Sequence, residues 1–189
     1  MSGSLKRALG LWVASQVEGL HVYADDLANA NHRYPCCAVT ELTHAIETLG
    51  CGKKDYTVRN PANGFATKSG KMHKAVETFR LTVSAPSDAQ RPGQEIVDGI
   101  LEIIETAALL TGLSYEPLAL VDSEAVPPEL FKVDGFHAAG RQAVPPDVTG
   151  EPFIFRGALT VRLIRSVPVE ERIEHLIERI HIEGERHVR

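Results

Sequence analysis

Cysteine is scarce in this sequence. Three residues, Cys36, Cys37 and Cys51, occur among 189, and an odd, low count argues against the paired framework of a small disulfide-stapled domain. Long apolar runs are missing too. No uncharged stretch approaches the ~18 residues that a membrane-spanning helix requires, so no membrane partner is expected. The opening MSGSLKRALGLWVASQVEGL carries basic and then apolar residues. Its apolar part is short, amphipathic and without a clear cleavage site, so a cytoplasm-like compartment is expected. Cations are in deficit, at 20 Lys and Arg against 25 Asp and Glu, a formal net charge of −5. That balance excludes a free nucleic-acid binder of the basic type. Repeats and low-complexity segments are absent as well. With 43% hydrophobic and 24% charged residues, the composition is that of an ordinary globular protein, not a disordered chain, a collagen-like repeat or a coiled-coil rod. The length suits one domain, or one domain with arms.

Charge is unevenly spread. Residues 1–94 hold 11 Lys and Arg against 8 Asp and Glu, whereas residues 95–189 hold 9 against 17. Opposed halves of this kind either attract each other across a contact between subunits or simply keep the surface soluble.

Apolar spacing predicts a first helix over residues 4–17, where Leu5, Leu9, Trp12 and Val13 share one face. A short strand is expected at His21–Tyr23, then a polar loop or a single turn over 25–31. A buried strand begins at Tyr34-Pro35-Cys36-Cys37-Ala38-Val39 and runs to about Leu49. Asp55–Arg59 reads as a short strand, and Asn60-Pro61-Ala62-Asn63-Gly64 as a turn. Residues 71–84 form a further strand, because Phe79, Leu81 and Val83 alternate with Arg80, Thr82 and Ser84, giving one buried and one wet face. After a break at 85–88, Pro92 opens a long helix to Thr111. Its stripe is Ile96, Ile100, Ile103 and Ala107, widened by Val97, Leu101, Ile104 and Leu110, with Gly112 as the stop. A strand is expected over 115–122. Residues 123–150 hold Pro127-Pro128, Pro145-Pro146 and three glycines, so they read as a functional or linker-like insertion with a short strand around Phe131, Val133 and Phe136. Residues 153–165 alternate clearly as a strand. Pro168 opens a last helix with Glu170, Glu171 and Glu174 near its positive end and Ile173, Leu176, Ile177 and Ile180 as its stripe. Residues 181–189 read as an arm. Clustered strands predict the α+β class, a mainly antiparallel sheet flanked by a long helix and an N-terminal helix. The expected organisation is one core domain over 1–167 and a C-terminal helix and arm over 168–189.

Motifs for chemistry are weak. Cys36, Cys37, His44 and Cys51, with His32 before them, bring ligand types together, but zinc sites use Cys pairs two to four residues apart. Adjacent cysteines on a strand point to opposite faces, so buried, inert thiols are expected. His175 and His181, six apart, fall on different faces of a helix. Gly64–Met72 has five residues between glycines where a phosphate loop has four, and Met72 stands where that loop needs a hydroxyl. Gly112-Leu113-Ser114-Tyr115-Glu116 lacks the second glycine of a nucleophile elbow and follows a helix. No catalytic residue, cofactor or metal is therefore expected. The basic stretch is more telling: Lys53, Lys54, Arg59, Lys68, Lys71 and Lys74 stand against the single acid Asp55. Such a hairpin is either a solvated surface or a positive loop that meets an acidic neighbour or DNA phosphate. Its aromatics are not interleaved as in a stacking platform.

The first helix, Tyr34-Pro35-Cys36-Cys37-Ala38-Val39, the strand Glu77-Thr78-Phe79-Arg80-Leu81-Thr82-Val83, the helix Pro92–Thr111 and the strand Gly157-Ala158-Leu159-Thr160-Val161-Arg162-Leu163 together resemble small phage tail terminator, or tail-completion, proteins. The resemblance covers about two-thirds of the chain in order and type of elements; residues 123–150 and 168–189 are extra to it. It implies a non-enzymatic virion protein forming a hexameric ring in the tail or neck, assembled in the host cytoplasm. Such a ring caps the tail tube, joins it to a neck or connector protein, meets the sheath in contractile tails, and lets DNA pass transiently through its centre. Lys53, Lys54, Arg59, Lys68, Lys71 and Lys74, with Glu170, Glu171 and Glu174, are the expected subunit-contact residues. The alternatives are a neck or head-closure ring and, from another class, a small cytoplasmic enzyme or ligand-binding α+β protein.

Overall fold

The computed structural model describes residues 2–24, 32–48, 54–60, 64–70, 72–114, 116–149 and 152–168. Its elements are α1 (Ser2–Gln16), β1 (His21–Ala24), β2 (Cys36–Thr48), β3 (Lys54–Asn60), β4 (Gly64–Gly70), β5 (Met72–Pro86), α2 (Gly93–Gly112), β6 (Leu118–Asp122), β7 (Glu129–Val133), β8 (Gly135–Asp147) and β9 (Ile154–Pro168). The class is α+β. A mostly antiparallel five-stranded sheet has the order β1-β2-β5-β9-β8, and β3-β4 and β6-β7 form two-stranded sheets. The short edge strand β1 pairs with β2 in parallel. Contacts divide the chain into two units, one of Met1–Ile46 with Ala75–Arg165, the other of Glu47–Lys74 with Ser166–Arg189.

In the first unit the core lies between the sheet and the two helices. Leu5, Ala8, Leu9 and Val13 recur every three or four residues of α1 and are all buried, as one helical face requires. This helix packs on β1 and β6, and its Trp12 meets Phe136 of β8 edge-on, with ring centroids 4.8 Å apart. From the sheet, Phe79, Leu81 and Val83 of β5 and Leu159, Val161 and Leu163 of β9 enter the same core. Arg80, Thr82 and Thr160 alternate with them and are half-buried, and Arg162 is exposed, so the opposite face is wetter than the core face but only partly open to water. Ser84 departs from it, being buried.

The start of α2 is fixed locally. Asp88 accepts the N–H groups of Gln90 and Arg91 at 2.8 and 2.6 Å, and the Ser87 hydroxyl accepts the Gly93 N–H at 2.9 Å. Pro92 occupies the cap position rather than the first helical one. Gly93 is required by close approach, since a Cβ there would press on the Phe155 ring and lie 2.9 Å from the Ala85 carbonyl oxygen. The buried face of α2 is Val97, Ile100, Leu101, Ile104 and Ala108, and each long side chain among them contributes roughly 1.5–3 kcal/mol when fully buried. This corrects the stripe expected from spacing. Ile103 is 48% and Leu110 66% exposed, because the apolar arc of α2 is wider than the face that one sheet covers.

Residues 123–150 also differ from expectation. Instead of one short strand in a linker-like stretch, β7 pairs antiparallel with β6 from Asp122↔Glu129 to Leu118↔Val133, and β8 pairs antiparallel with β9. Pro145 and Pro146 lie between the register partners Val144↔Arg156 and Asp147↔Ile154, at a bulge. Because β8 is an edge strand, it tolerates prolines that an interior strand would not. A second irregularity between Ala138 and Gly140 coincides with φ +123° at Gly140, a backbone conformation that favours glycine.

The second unit contains the antiparallel hairpin β3–β4, in continuous register from Lys54↔Gly70 to Asn60↔Gly64. Pro168 is the last residue of β9. The helix expected beyond it and the arm at 181–189 lie outside the described residues.

Candidate functional site

Where apolar rows end, charged groups take their place. Glu77 continues the Phe79–Leu81–Val83 row and is 3% exposed. Arg165, further along β9 from Leu163, donates to its two oxygens through Nε at 2.8 Å and Nη2 at 2.7 Å. The His44 Nδ1 stands 3.2 Å from the same carboxylate, and the Arg165 guanidinium lies 5.4 Å from the centre of the Phe131 ring. Asp122, at the end of β6, is fully buried. Its Oδ2 accepts the Ser4 hydroxyl at 2.6 Å and Arg7 Nε and Nη2 at 3.0 and 2.8 Å. The hydrogen bond from Arg7 and then that from Ser4 hold this carboxyl below the usual carboxylate range, against the opposing effect of desolvation. Both carboxylates accept hydrogen bonds from arginines on other elements, so they tie distant parts of the chain together.

Cys36 and Cys37 are free and buried in β2. Burial pushes the Cys36 thiol up to about 11, partly offset by Arg156, and pushes the Cys37 thiol higher still. Neither supplies a thiolate near neutral pH. His44 is engaged with Glu77 as above, and Cys51 lies outside the described residues. Among the described residues no group of three or more His, Cys, Asp or Glu side chains is placed to hold a metal ion. Gly64–Gly70 is strand β4 in register with β3, so it forms no phosphate-wrapping loop. The Ser114 hydroxyl, just past α2, accepts the Glu116 N–H at 3.2 Å.

Of the expected contact residues, Lys54, Arg59 and Lys68 fall in the β3–β4 hairpin, opposite Gly70, Phe65 and Tyr56 respectively. Lys74 lies on β5 and is half-buried. Lys53, Lys71, Glu170, Glu171 and Glu174 lie outside the described residues.

Spacing did not single out the outer face of α2. Gly99, Glu102, Ile103, Thr106, Ala107 and Leu110 line a shallow groove of about 410 Å³. Leu109 and Leu113 nearby are 55% and 78% exposed. Exposed apolar side chains gathered on one surface mark an interaction site more often than scattered ones do. The signal was present in the sequence as an apolar arc too wide for a single contact. Two other clefts are less organised. One of about 620 Å³ is bounded by Ser87, Pro152, Phe153 and Phe155, none of them titratable. The other, about 200 Å³, lies along α1 between Lys6, Arg7 and Val22. No helix among the described residues is long and apolar enough to cross a membrane. No protein-family model matches the chain, and no curated protein sequence matches it.

Proposed function

We propose that the chain is a structural virion protein whose copies form a ring that ends the phage tail tube and joins it to the neck. The observation that carries this reading is the order of elements. The four stretches on which the resemblance rests fall on β2, β5, α2 and β9 of one α+β unit, with α1 preceding them. Supporting it is an outer face of α2 that leaves Ile103 and Leu110 in water, a costly surface for a chain that never meets a partner. On this reading the protein needs no cofactor, and DNA passes through the ring without sequence readout.

Light scattering after size-exclusion tests the proposal, alone and with purified tail-tube protein. A hexamer-sized particle, or one that forms on addition of tubes and stops their growth, is expected. Binding to a portal or connector ring but not to tubes would identify a neck or head-closure ring instead. A strict monomer indifferent to both would refute the proposal.

A further inference from the structure

The outer face of α2 has three properties that belong together. First, at 3.6 residues per turn, Gly99, Ile103, Thr106, Leu110 and Leu113 fall within an arc of about 80°, so the groove is one continuous stripe along the helix. Second, it is rimmed by one sign of charge. The helix carries Glu95, Asp98, Glu102 and Glu105 and no Lys, Arg or His. Glu105 is engaged by Arg141 at 2.6 Å, and Asp98 accepts a hydrogen bond from Gln94 at 3.0 Å; no cation of α2 itself offsets the other two acids. Third, a glycine sits mid-helix with nothing demanding it. A Cβ at Gly99 would meet no atom within 4 Å, yet glycine weakens a helix interior relative to alanine. A residue that costs helix stability and relieves no crowding within the protomer makes sense where another backbone comes close.

The sequence contains a counterpart to this surface. The β3–β4 hairpin carries Lys54, Arg59 and Lys68 against Asp55, together with Tyr56, Val58 and Phe65. We infer that the α2 groove of one protomer seats the β3–β4 hairpin of a second copy, through apolar contact along the stripe and attraction between the basic hairpin and the acidic rim. The two surfaces are different, so the contact is heterologous, the kind that builds a ring when its rotation closes. The inference rests on the ring reading and specifies where neighbouring subunits touch.

Complementary charge reversal tests it. One chain carries Asp98→Lys and Glu102→Lys, the other Lys54→Glu and Lys68→Glu. All four positions lie on exposed helix surface or in the hairpin, and circular dichroism verifies folding. Each chain alone should need about tenfold or more higher concentration to assemble. Mixed in equal amounts, they should assemble to within about threefold of the parent, because every hairpin then meets a groove of opposite charge. Gly99→Ala should move two readouts in opposite directions: a melting temperature higher by about 1–4 °C, and weaker assembly. Undiminished assembly of either reversed chain, failure of the mixture to recover, or unimpaired assembly of Gly99→Ala would overturn the inference while leaving the ring reading standing. A parent chain that stays monomeric with and without tail tubes would overturn both.

Discussion

Replacing Glu77 by alanine removes the partner of a guanidinium held in place by its neighbours. The Arg165 side chain is 18% exposed and that of Glu77 4%, so the charge left behind is poorly hydrated. Two hydrogen bonds of 2.8 and 2.7 Å disappear, and the contact Arg165 keeps is with the face of Phe131. Breaking a buried pair by deleting one member costs about 3–5 kcal/mol, whereas an exposed pair is worth about 0–1 kcal/mol. For a domain of this size each kcal/mol lowers the melting temperature by about 2–4 °C, so Glu77→Ala should melt about 6–20 °C lower. Replacing both members, as Glu77→Leu with Arg165→Met, removes the unpaired charge and restores apolar volume, so it should recover most of that loss. Thermal denaturation followed by circular dichroism, as a double-mutant cycle, reads both effects. A single-mutant loss below about 1 kcal/mol, or a double mutant no better than the single, would refute the claim that the pair is desolvated.

Three other outcomes follow from the same geometry. Gly93→Ala should destabilise by about 1–3 kcal/mol through overpacking against Phe155 and the Ala85 carbonyl, measured by urea denaturation; stability equal to the parent would show that the start of α2 can shift. In a Cys51→Ser background, Cys36 and Cys37 should resist thiol reagents at pH 8 until the protein unfolds, and rapid labelling of the native state would contradict their burial. The Asp122 carboxyl is held below its unfolded value, so its contribution is present above the usual carboxylate range and is lost as pH falls through the folded value. Asp122→Asn should therefore lower stability at pH 7 and flatten the decline below about pH 4; an unchanged acid limb would mean that the clamp to Arg7 and Ser4 does not form in solution.

The elements with strong periodicity were legible in the sequence. Leu5, Leu9 and Val13, the Phe79–Leu81–Val83 row and the Leu159–Val161–Leu163 row each have one partner surface, so spacing alone identifies their inward face. α2 was half legible. Its limits were clear, but its apolar arc covers two surfaces, and periodicity does not separate a face buried by the fold from one left in water. Residues 129–147 were legible only in part, since the short strand around Phe131 and Val133 is β7 whereas the length of β8 was not foreseen. Proline and glycine there mark an edge strand with bulges, and the same residues also mark linkers. Glu77 and Asp122 were invisible as partners because Arg165 and Arg7 lie 88 and 115 residues away in sequence. No local spacing rule reaches that far. The basic hairpin was recognisable from composition, since charge of one sign needs no tertiary information.

The twin prolines of β8 have a consequence beyond their own strand. A stranger chain trying to zip onto that margin would meet proline nitrogens that donate nothing and a kinked backbone. Accretion strand by strand, the route to fibrils, is thus frustrated at that border. Any chain that meets this border is left to recognise it through side chains, which carry address information that a bare backbone ladder lacks.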